Sequence, residues 1–183
     1  MSTSVGKRRG ALLAAGVLML SGLAARPAAA DENMRFEGTL VAEPCVIPPG
    51  EELIRLDFGT IVDKYLYLNG RTLSQTFSLH LAECDLSLGN TVAVTFSGAE
   101  NARLPGLLAL DGGSSASGVA IGLENLDGTA LPLNNASKKY RLAAGSNLIA
   151  LQAYVRGEPQ AIADKTIGRG EFSATATFSL EYE

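Results

Sequence analysis

The stretch Phe172-Ser-Ala-Thr-Ala-Thr-Phe-Ser-Leu-Glu-Tyr182 decides the fold class. Phe172, Ala174, Ala176, Phe178, Leu180 and Tyr182 alternate with Ser173, Thr175, Thr177, Ser179 and Glu181. A period of two is that of a strand with one buried face, because successive side chains of an extended chain point to opposite sides.

Working outward, the same pattern recurs in shorter form. Phe77, Leu79 and Leu81 alternate with Ser78, His80 and Ala82 just before Cys84, and Val92, Val94 and Phe96 repeat it. Val119, Ile121 and Leu123 alternate with small residues, and Leu148 to Val155 is β-rich between Gly145 and Gly157. Leu53 to Phe58 reads as a further strand stopped by Gly59. Met34, Phe36 and Thr39 to Val41 begin an extended segment into Cys45, punctuated by Pro44, Pro48, Pro49 and Gly50. Asn69-Gly70, Asn101, Pro105-Gly106, Asp111-Gly112-Gly113, Asp127-Gly128 and Gly168 supply turns. About seven short strands so spaced, with little that could hold a helix, predict an all-β sandwich.

The N-terminus reads as a leader. Lys7, Arg8 and Arg9 precede an apolar run from Ala11 to Ala25, and Ala28-Ala29-Ala30 offers small residues for cleavage. The run is shorter than the roughly 20 residues that cross a bilayer as a helix. Residues 1–30 are therefore expected to be a signal peptide, and residues 31–183 one domain. Lys7, Arg8, Arg9 and Arg26 leave with the leader, so the mature balance is 11 basic minus 19 acidic residues, or −8. That charge, with no basic cluster after Ala30, argues against nucleic acid or an anionic membrane as partner and favours proteins. Cys45 and Cys84 are the only cysteines, and an exported chain oxidises such a pair to each other.

The alternation of the last strand runs to the end of the sequence. A complete immunoglobulin-like sandwich would set another strand beside it, so the first mature segment and the last strand are expected to border an unfilled groove.

Phe36-Glu-Gly-Thr-Leu-Val-Ala-Glu-Pro-Cys45, Ile54-Arg-Leu-Asp-Phe-Gly59, Phe77-Ser-Leu-His-Leu-Ala-Glu-Cys84 and Gly170-Glu-Phe-Ser-Ala-Thr-Ala-Thr-Phe-Ser-Leu-Glu-Tyr-Glu183 together resemble chaperone-usher fimbrial subunits. Val92-Ala-Val-Thr-Phe-Ser-Gly98 followed by Leu104-Pro-Gly-Leu107 looks most like the minor adaptor pilins of P-type pili. The resemblance implies an immunoglobulin-like fold lacking its final strand, completed first by a periplasmic chaperone and then by the N-terminal segment of a neighbouring subunit. It further implies assembly at an outer-membrane usher and display on the surface of a Gram-negative cell. Carried onto this chain, residues 31–38 are the donor segment, with Met34 and Phe36 as donor side chains. Phe172, Phe178, Leu180 and Tyr182 line the groove and meet the chaperone. Glu32 departs from the pattern, because it shares the donor face where the family carries a small or apolar residue.

Catalytic chemistry finds little support. His80 is the only histidine and falls on the polar-facing side of its strand. Gly112-Gly-Ser-Ser-Ala-Ser-Gly118 lacks the spacing of a nucleophile elbow and the Gly-Lys ending of a phosphate loop, and reads as a flexible turn. Neighbouring Glu51 and Glu52 point apart on an extended chain. Two cysteines and one histidine are too few for a zinc site, and no cofactor is expected. The sequence thus predicts a non-enzymatic structural subunit of a pilus. The rival reading is a self-contained sandwich that binds carbohydrate, weakened by the absence of tryptophan to stack on sugars.

Overall fold

The computed structural model describes residues 37–183, so the leader and the donor candidates Met34 and Phe36 lie outside the described residues. Residues 40–183 form one unit. Its strands are β1 (Gln75–Cys84), β2 (Thr91–Ser97), β3 (Glu100–Asn101), β4 (Leu104–Leu108), β5 (Val119–Asn125), β6 (Tyr140–Arg141), β7 (Gly145–Gly157) and β8 (Thr177–Tyr182). They make two sheets, ordered β1-β7-β5-β4-β3 and β6-β2-β8, with every ladder antiparallel. This is the expected sandwich.

The apolar parity of each strand builds the core. Leu79, Leu81, Ile149, Leu151, Val155 and Ile121 of the larger sheet bury against Val92, Val94 and Phe96 of the smaller, with Leu131, Leu133 and Leu142 closing the space between. Two aligned sheets that interleave alternate side chains in this way exclude water from a single layer.

The disulfide joins Cys45 to Cys84, both buried. Strict alternation from Leu81 would turn Cys84 to the outer face. A bulge between Leu81 and Cys84, with Glu83 in the left-handed region at φ 53°, turns it back inward. Beside it, Val46 and Ala82 exchange backbone hydrogen bonds of 2.9 and 2.8 Å, which ties the first segment to β1.

Three expectations need correction. The chain does hold helices: α1 (Asp63–Asn69) and α2 (Pro159–Ala163). Leu66 plugs α1 into the core, while Gly70 at φ 76° caps it, so the predicted Asn69-Gly70 turn is a helix end. Leu53 to Phe58 is extended but belongs to no ladder. Of the long terminal segment, only Thr177–Tyr182 is paired, to β2.

An ion pair between half-exposed Arg71 and buried Glu124 locks the outer face of the larger sheet. Arg71 grips Glu124 through both oxygens at 2.8 and 2.9 Å, and its guanidinium lies 3.5 Å from the centre of the Tyr154 ring. Ser74 also hydrogen-bonds the carboxylate. Tyr154 lies flat over Gly122, where a Cβ would come within 2.2 Å of the ring, so glycine is required there by space.

Candidate functional site

The terminal segment combines a half-buried apolar face with an unpaired backbone edge. Along 171–183 the even-numbered residues Phe172, Ala174, Ala176, Phe178, Leu180 and Tyr182 are half-buried against the core, and the odd-numbered ones are exposed. The backbone follows the same parity. Glu171 and Ser173 carbonyls accept from Ser115, Ala116 and Asp111, the Thr175 N–H donates to the Asp111 carboxylate, and Glu183 exchanges hydrogen bonds with Thr91. In a strand the N–H and C=O of alternate residues point to opposite edges. The even-numbered residues therefore turn their backbone groups to the edge away from β2, where β8 meets no strand among the described residues. That row, about 33 Å long at the usual rise per residue, is an open template for pairing.

The loop read as a flexible turn holds this segment in place. Ser114 Oγ accepts from the Ser173 N–H at 3.1 Å, and both Asp111 oxygens engage Thr175 at 3.2 and 3.1 Å. Sequence reasoning missed this role because short polar side chains carry no mark of their partner.

A second unpaired segment is Leu53–Phe58, expected from the sequence to be an ordinary strand. Ile54, Leu56 and Phe58 are half-buried while Arg55 and Asp57 are exposed, the same period of two. Among the described residues, no backbone group of residues 53–58 hydrogen-bonds another strand. The two segments meet at one end, where the rings of Phe58 and Phe172 are 6.4 Å apart. Phe77, on the edge strand β1, is also only half-buried, and it packs edge-to-face on Phe96 with centroids 6.2 Å apart.

Phe172 also lines a recess of about 210 Å³, together with Ile61, Val62, Leu66, Val119 and Ile167. Asp63 and Arg169 pair at its rim at 2.6 Å, and the guanidinium holds the Asp63 carboxyl below its ordinary range. At the other end of the terminal segment, burial and the nearby Glu43 carboxylate raise the Tyr182 phenol above its ordinary value. Pro44 sits there too, against Gly89 and the Glu183 backbone.

His80 bridges Glu51 at 2.8 Å through Nδ1 and Ser146 at 3.0 Å through Nε2. The three side chains strap the 48–52 turn to β1 and β7, away from the recess beside Phe172. Ser137 is engaged as well, its Oγ accepting from the Val94 N–H at 2.9 Å. Among the described residues there is no cluster of three or more metal-ligating side chains, and no helix is long and apolar enough to cross a membrane.

Residues 34–183 match the model of the family described as fimbrial protein. The chain belongs to that family. This fimbrial protein is 32% identical over 184 residues to an uncharacterized fimbrial-like protein, YfcP, of Escherichia coli K12, covering 100% of this chain and 99% of that one. It is 30% identical over 173 residues to the fimbrial adapter PapK of Escherichia coli, covering 91% and 97%. In fold it is similar to the crystal structure of the P pilus rod subunit PapA, with a TM-score of 0.66 and 23% identity over 77% of this chain and 100% of that one. The fimbrial protein is thus a structural subunit of a fimbria, and its partners include other fimbrial subunits.

Proposed function

We propose that the trough between Leu53–Phe58 and Phe172–Tyr182 is the acceptor for a donated β-strand. A periplasmic chaperone fills it first, and the N-terminal segment of a neighbouring subunit replaces that strand at an outer-membrane usher. Residues 31–38 are the donor of this chain, with Met34 and Phe36 as the side chains that enter the neighbour's trough. Signal-directed export carries the chain to the periplasm, and assembly carries it to the surface. The function is mechanical and non-enzymatic.

The observation that carries this reading is the shared parity of the terminal segment. The residues whose side chains are half-buried, from Phe172 to Tyr182, are also those whose backbone groups face an open edge. A donor with the same parity satisfies both at once: its backbone pairs with the edge and its alternate side chains complete the core. A self-contained carbohydrate-binding sandwich gives no reason for such an edge. The identity to the adapter PapK supports an adaptor-type place in the pilus.

The geometry also favours a linear assembly. Glu43 and Pro44 lie near Tyr182 and Glu183, at the opposite end of the terminal segment from Phe172. A donor added antiparallel to β8, like every other ladder, leaves the trough at its Phe172 end, where the body of the donating subunit must follow. Entry at one end and acceptance at the other is a heterologous contact, which propagates as an open filament when its rotation does not close.

Residues 31–183 exported to an oxidising compartment should accumulate only with a partner chaperone, or with a donor strand supplied in the same chain. A soluble monomer that unfolds cooperatively when expressed alone would overturn the proposal.

A further inference from the structure

The trough does not end the apolar surface at its Phe172 end. Val62, which lines the recess, immediately precedes α1, and Tyr65 and Leu68 stand three residues apart on the helix, so an apolar stripe continues from the recess along α1. All are exposed, at 57%, 41% and 84%. Leu66, between them in sequence, points the other way and is buried. An apolar stripe left in water beside an acceptor trough needs a partner that arrives with the donor.

We infer that this stripe docks the shoulder of the donating subunit: Leu40 and Val41, just beyond the donor segment, in a second copy of this chain. The inference rests on the donor-strand reading above. Leu40 and Val41 are exposed at 101% and 67%, and they are held at the Tyr182 end by the Cys45 anchor a few residues on. In the head-to-tail arrangement, the donor's C-terminal end emerges over the recess. The next residues of that chain then pass α1. Their charges also suit: Glu43 follows Val41, and exposed Lys64 stands beside Tyr65 on α1. The contact supplies what a single added strand lacks, a second point of attachment that resists rotation of one subunit about the donor.

The test titrates the exported chain, purified from the periplasm as its complex with a chaperone, with two synthetic peptides of its own sequence, residues 31–39 and residues 31–44, and reads displacement of the chaperone. The longer peptide should bind about tenfold more tightly, the increment expected from burying a few exposed methylene groups. Leu68→Ser in the protein should abolish that increment and leave the affinity for the shorter peptide unchanged. Leu68 supports no packing, so the substitution does not threaten the fold. Equal binding of the two peptides, or an increment that survives Leu68→Ser, overturns the docking of the shoulder while leaving the trough as an acceptor. Failure of both peptides to bind overturns the donor-strand reading and this inference with it.

Discussion

The rings of Phe58 and Phe172 stand 6.4 Å apart with their planes tilted by 34°, and they join two extended segments that no ladder connects. Each ring covers the core at the end of the trough. Phe58→Ala and Phe172→Ala should each lower stability by about 1–3 kcal/mol, given that both rings are only half-buried. A double-mutant cycle in denaturant should return a coupling of about 1 kcal/mol between them. A coupling of zero would mean that the two segments are held independently.

Phe36→Asp tests the donor. The charge would have to enter an apolar trough unpaired, at a cost that prevents stable strand addition. The same subunit should still be captured by a chaperone, because its own acceptor trough is unchanged. Fibre yield and chaperone co-purification, measured side by side, separate the two steps. Normal fibres from this variant would remove Phe36 from the donor face.

The disulfide closes a loop of 39 residues. On the chain-entropy account, replacing both Cys45 and Cys84 by Ser should cost about 4 kcal/mol. Equilibrium unfolding of the subunit completed by a donor strand, with and without reductant, measures it. A shift below about 1 kcal/mol would show that the Val46 and Ala82 bridge suffices to hold the first segment.

Glu124 gives a pH signature. Its carboxyl is held below the ordinary value of 4.5, chiefly by the hydrogen-bonded Arg71 guanidinium. A carboxyl whose folded value is depressed contributes stability above its unfolded value and loses it as pH falls through the folded one. Glu124→Gln should therefore destabilise by about 2 kcal/mol at neutral pH. The gap to the unmodified chain should be constant above pH 4.5 and narrow below it. Thermal unfolding from pH 7 down to pH 3 is the measurement, and a gap independent of pH would exclude the charge as its source.

Much of the sandwich is legible because apolar parity survives translation into structure. Phe77 to Leu81 and Val92 to Phe96 turn the predicted side into the core and the terminal segment half-buries it, while Val119 to Leu123 is covered on both faces. Parity fails where the backbone leaves the strand conformation. Cys84 reaches its partner only because Glu83 adopts a left-handed conformation, and a glutamate carries no local signal for that. Helix α1 escaped notice because seven residues hold too few turns to show a period, and no side chain caps its start. The second wall of the trough was visible as alternation in Ile54, Leu56 and Phe58. That the segment lacks a hydrogen-bonded neighbour is a tertiary fact, and alternation alone reports the buried face, never the edge.

The even-odd division of the terminal segment acts as a parity check on whatever chain lies against it. A donor displaced by one residue would present its polar side chains to the core, so only displacements of two residues, about 6.7 Å, keep the match. Errors of assembly are thereby restricted to a few discrete steps. A wrong segment must imitate the spacing of its alternate side chains as well as their greasiness before the edge that begins at Phe172 will accept it.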